Sequence, residues 1–101
     1  MIILTNKSYW GKNIISYDII HEGYNEINEI MSDGMVSIGK VKGKGIIVDI
    51  SLYGDSWPKG VHHYQSDIVE VLKIAEPELF KQYKVLKIQI EKVSDEEFFS
   101  N

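Results

Sequence analysis

The stretch MVSIGKVKGKGIIVDISLY, residues 35–53, holds two strand-like runs joined by a glycine–lysine turn. In the second run Ile46, Val48, Ile50 and Leu52 recur at every other position, with Asp49 and Ser51 between them. That is the period of a strand with one face in a core and one in water. Met35 to Val41 carries the same β-branched bias. Lys42-Gly43-Lys44-Gly45 supplies the backbone freedom of a tight connection, so the segment predicts a β-hairpin.

On the C-terminal side, Gly54 to Gln65 reads as a loop containing Trp57, Pro58 and Gly60. Ser66 is placed as an N-cap and Asp67 as a first-turn acid, and Ile68, Leu72 and Ala75 line one face of the predicted helix. Pro77 ends that helix and suits the first turn of another running to about Tyr83. Val85 to Glu91 alternates as a strand with Leu86, Ile88 and Ile90 inward. Residues 94–101 are acidic and predict a frayed tail.

On the N-terminal side, Met1 to Thr5 predicts a short strand, Asn6 to Asn13 a loop, and Ile14 to Ile20 a strand with Ile15, Tyr17 and Ile19 on one face. Tyr24, Ile27 and Met31 give a helical stripe over Tyr24 to Ser32, with Asp33-Gly34 as its stop. The predicted order is therefore β-(β)-α-β-β-α-β. This is a single α+β domain over residues 1–101, a ferredoxin-like variant with a mainly antiparallel sheet of four to five strands and two helices on one face.

Composition narrows the function classes. The chain has no cysteine, which excludes disulfides, thiolate metal sites and cysteine nucleophiles. It has no basic, apolar leader and no run of ~20 apolar residues, so a cytoplasmic protein without a membrane segment is expected. All eleven basic residues are lysine, and the net charge is −4. The absence of arginine's planar fork, together with that charge, argues against nucleic acid and in favour of a basic partner.

The motifs that resemble catalytic machinery are weak. Gly39 to Gly45 has the glycines and lysines of a phosphate loop but the wrong spacing, and it leads into a strand instead of a helix. It reads as a turn whose lysines protect an edge. His62 and His63 could be metal ligands, yet neighbours in sequence point apart, and chelating pairs prefer a spacing of three or four. No cofactor motif is present, and the chain is read as a non-enzyme. The constellation that most suggests function is Glu22, Glu26, Glu29 and Asp33, spaced four, three and four as an acidic stripe along the predicted first helix. Like charges so placed repel, which points to a basic partner that relieves them. Tyr53, Asp55 and Trp57 put two aromatics and an acid in the loop after the best strand, as a second contact element or, for Trp57, as a cap on the core.

In size, acidity and α+β architecture the chain resembles the immunity proteins of bacterial contact-dependent inhibition and related polymorphic toxin systems. The resemblance implies a cognate basic toxin domain, such as a nuclease, as partner. Two other readings stand beside it. One is a small-ligand regulatory module that dimerises through its sheet, which leaves monomer or homodimer open. The other is a small metal- or histidine-dependent enzyme using His62 and His63.

Overall fold

A computed structural model describes residues 1–23 and 32–93. Five strands and two helices follow one another as β1 (Ile2–Trp10), β2 (Ile14–His21), β3 (Gly34–Val41), β4 (Gly45–Tyr53), α1 (Val61–Ala75), α2 (Pro77–Gln82) and β5 (Val85–Val93). The strands lie in the sheet in sequence order. β1 to β4 form an antiparallel meander, and the α1–α2 crossover returns the chain so that β5 runs parallel to β4. The α+β class is as predicted, but the sheet is mixed and the element order differs from a ferredoxin-like variant. Both described helices come after β4. The predicted helix over Tyr24 to Ser32 falls outside the described residues except for Ser32, which belongs to no helix.

The hairpin is built as its alternation requires. Val36 pairs with Ile50 and Ile38 with Val48. The same face continues through Tyr17 and Ile19 of β2 and through Ile88 and Ile90 of β5. These side chains meet Tyr64, Ile68, Val69 and Leu72 of α1, and the buried set forms one cluster. Each fully buried Ile or Leu contributes on the order of 2 kcal/mol through removal of apolar surface from water. Ala75, expected on the buried face of α1, is exposed.

Four local expectations fail for identifiable reasons. β1 runs on through Asn6 to Trp10, because Asn6 takes a left-handed conformation (φ 51°) and the register shifts between Thr5 and Ser8. One extra residue there is a β-bulge, which swaps the facing of everything after it and so hides the strand from period-two reading. α1 starts at Val61, five residues before the expected cap at Ser66, and its N-cap Gly60 offers no side-chain bond. Ser66 and Asp67 instead lie exposed within the helix. In β5 the register shifts so that Ile46 pairs with Val85 and Ile47 with Lys87, which leaves Leu86 as the extra residue, exposed instead of inward. Gly34, expected as a helix stop, opens β3. A Cβ there would stand 2.6 Å from the Ser51 carbonyl oxygen, so the residue is required by close strand approach.

Candidate binding surface

Both helices cover one face of the sheet, and among the described residues nothing covers the other. The inter-strand pairs define this open face: Ile3 beside Ile20, Ser8 beside Ser16, Trp10 beside Ile14, Asp18 beside Met35, and Ser37 beside Asp49. Asp49 in turn pairs with Gln89 and Ser51 with Glu91. The bulge in β1 decides the facing of its second half. It turns Trp10 onto the open face, where the indole Nε1 donates to Ser16 Oγ (2.9 Å), and turns Lys7 to the helix side. Asn6 at the bulge donates its amide to Asp18 Oδ2 (2.9 Å) and fixes that carboxylate.

The result is a surface of mixed character. Trp10 is 63% exposed, with exposed Ile14 and Met35 near it and exposed Ile3 at the other end of β1. Among the described residues, the carboxylates on the face are Asp18, Asp49 and Glu91, against one lysine, Lys87. The Gln89 amide, with its nitrogen toward Asp49, donates to that carboxylate and accepts from Lys87 (2.9 Å). Two shallow hollows of ≈ 390 Å³ each mark the face. One lies between Asn6, Trp10, Ser16, Asp18 and Met35, the other between Asp49, Ser51, Gln89 and Glu91. Tyr53 lies half-buried near Asp18, and its hydroxyl pKa is raised by burial and then by the Asp18 charge.

The residues singled out from sequence are scattered over the fold. Glu22 is exposed just after β2, its amide bonded to the Met1 carbonyl (2.9 Å). Glu26 and Glu29 lie outside the described residues. Asp33 is not on an exposed stripe. It is 7% exposed, its carboxylate accepts from the His21 amide (2.7 Å) and from Ser56 Oγ (2.7 Å), and its carbonyl accepts from Trp57 Nε1 (2.9 Å). A carboxylate taken out of water needs such donors, and they cluster here because β2, β3 and the loop after β4 end together. Trp57 belongs to the core, 2% exposed, stacked on His21 at 4.4 Å and edge-on to Tyr64 at 4.9 Å. Asp55 is exposed in that loop. Tyr53 and Trp57 therefore serve different places and do not form one contact element. His62 and His63 are exposed in the first turn of α1, and no group of three or more metal-ligating side chains comes together among the described residues.

A part-buried ionic node left no mark in the sequence pattern. Glu76 sits between α1 and α2, where Pro77 lacks an amide hydrogen and the chain breaks from helical geometry. Its carboxylate accepts a hydrogen bond from the Tyr17 hydroxyl and pairs with Lys7 Nζ at 2.8 Å. Burial alone would raise the Glu76 pKa, but the hydrogen bonds from Lys7 and Tyr17 outweigh it and hold the value below the ordinary one. Burial and then the bond to Glu76 push the Tyr17 hydroxyl up to about 12. The bond to Glu76, followed by one to Tyr9, raises the pKa of Lys7.

A group whose folded pKa is lowered adds stability above its unfolded value and loses it as pH falls through the folded value. Glu76→Gln should therefore cost about 1 kcal/mol at neutral pH, a modest figure because Lys7 is partly in water. The gap to wild type should close once the pH is well below the ordinary carboxylate value of 4.5. Urea midpoints of both proteins at pH 7 and near pH 3 check this, and an unchanged gap at acid pH would remove Glu76 from the account.

No protein-family model, curated protein or solved structure matches the chain. No helix among the described residues is long and apolar enough to cross a membrane.

Proposed function

We propose that the chain is a non-enzymatic binding protein, an immunity protein that acts in the cytoplasm and neutralises a basic toxin domain through its helix-free sheet face. The observation that carries this reading is one uncovered surface that holds Asp18 beside the exposed Trp10 and Met35 on the β1–β3 side and Asp49 and Glu91 on the β4–β5 side. Carboxylates speed encounter with a basic partner, whereas a desolvated indole slows dissociation. This moves the contact from the acidic helix stripe to the sheet, since Asp33 is consumed by its own fold.

The serine, histidine and aspartate that do come together favour binding over catalysis. His21 Nδ1 meets the Ser56 carbonyl at 2.6 Å, and the Ser56 hydroxyl points to Asp33. The group is wired through the backbone and through Asp33, unlike a nucleophile held by an imidazole. Pairing of two copies through the same face is the second reading, supported by the exposed Ile3, Ile14 and Met35. The carboxylates would then oppose one another, which favours the heterologous partner.

Affinity capture from the native cells at low and at moderate salt tests the proposal. A stoichiometric basic protein, weakened by salt and retained roughly 30-fold less well by Trp10→Ala, is the expected result. Recovery of the chain alone, with a dimer in sedimentation, would replace the proposal with the self-pairing reading.

A further inference from the structure

The lysines are not spread evenly over this acidic protein. The turn between β1 and β2, the turn between β3 and β4, and the start of β5 all lie at one end of the sheet. Lys40 N bonds to the Asn13 carbonyl (2.8 Å), and Ile46 N bonds to the Lys84 carbonyl (2.8 Å). Lys12, Lys42, Lys44 and Lys84 therefore share that end, exposed and in no ion pair among the described residues, while Lys40 beside them is half-buried with its Nζ 5.7 Å from the Tyr83 ring. Glu76 and Glu78, which precede Lys84 in the chain, are engaged by Lys7 and Lys81. Exposed apolar groups flank the lysines, with Tyr9 at 67% exposure, Ile14 beside the first turn and Leu86 beside Lys84.

We propose that this end of the sheet is a docking surface for an anionic lipid bilayer, which goes beyond the toxin-binding reading and rests on the tip lysines, although Trp10 and Ile14 border both surfaces. Lysine is a point charge that suits a diffuse lipid headgroup layer, and the absence of arginine removes the fork used on nucleic acid. Exposed tyrosine and aliphatic groups beside the lysines fit the headgroup boundary, where one end of the ring is apolar and the other wet. The net charge of −4 does not prevent this. The strands are eight or nine residues long, so the acids at their far ends, Glu22 and Asp55, lie roughly 25 Å away, and the mid-sheet Asp18 and Asp49 lie roughly 15 Å away, in both cases beyond the Debye length of about 8 Å at ordinary salt. Contact is therefore governed by the lysine end.

Flotation with phosphatidylcholine vesicles, with and without about a third phosphatidylserine, tests this at about 0.05 M and about 0.3 M salt. Trp10, two residues before Lys12, is exposed while Trp57 is buried, so brominated lipid should quench the indole near the tips and leave the other. The expected result is binding to anionic vesicles only, weakened by salt, weakened roughly 30-fold in Lys42→Gln/Lys44→Gln, and accompanied by Trp10 quenching. Any of three results would overturn it: no binding at low salt, equal binding to neutral vesicles, or binding to a single-stranded oligonucleotide but not to vesicles. Toxin binding is read separately, through the open-face carboxylates, so either proposal can fail alone.

Discussion

Trp57→Ala is expected to lower the unfolding free energy by about 4 kcal/mol, within the range for emptying a buried aromatic site. Trp57 is 2% exposed, holds the His21 and Tyr64 rings, and satisfies the Asp33 carbonyl with its indole N–H. Truncation opens a cavity and leaves that carbonyl without its indole donor. For a chain of this size the melting temperature should fall by roughly 20 °C. Trp57→Phe keeps most of the ring and loses the hydrogen bond, so it should recover more than half of the loss. A melting curve for Trp57→Ala within a few degrees of wild type would show that Trp57 does not organise the core.

The second large effect is expected at Asp33. Asp33→Ala removes the acceptor of the buried His21 amide and of the part-buried Ser56 Oγ. Losing two bonds to a carboxylate should cost about 3 kcal/mol, because the abandoned donors bear the desolvation penalty. Asp33→Asn separates this from charge. Its amide oxygen can accept from the His21 amide while its nitrogen donates to Ser56, so the loss should be about 1 kcal/mol. Urea unfolding of the three proteins measures both. Equal losses for the two variants would make the carboxylate charge, and not the hydrogen-bond pattern, the stabilising element.

Where local pattern and tertiary contact agree, the chain was legible. The β3–β4 hairpin and its inward residues follow from alternation alone, because Ile46, Val48, Ile50 and Leu52 need no information from elsewhere. Pro77 likewise separates α1 from α2 as its missing amide requires. The failures lie where one residue shifts a register or a cap carries no side-chain signal. Asn6 and Leu86 are the extra residues of two irregularities, and parity breaks at each. Gly60 begins α1 without a capping side chain, whereas Ser66-Asp67 imitates a start.

Strand order was not legible, because it depends on which edges find each other and not on any one segment. The open face was half-visible in Ser16, Asp18, Asp49 and Ser51, the polar positions of β2 and β4. Trp10 could not be assigned to it without the bulge. Asp33 misled because an acid before a glycine suits a helix stop as well as it suits a buried acceptor. The Lys7–Glu76–Tyr17 node joins positions far apart in sequence and left no local pattern.

The claim that the uncovered sheet face binds a basic partner is tested most directly by charge reversal in two places. Asp49→Lys/Glu91→Lys changes the open face, and Asp67→Lys/Glu70→Lys makes the same change in net charge on exposed positions of α1. The measurement is the association rate of the captured partner with each variant, after melting curves establish that both are folded. The open-face variant is expected to associate at least about ten-fold more slowly and to lose its salt dependence, while the helix variant stays within about three-fold of wild type. Equal slowing in both variants, or none in the first, would contradict the claim.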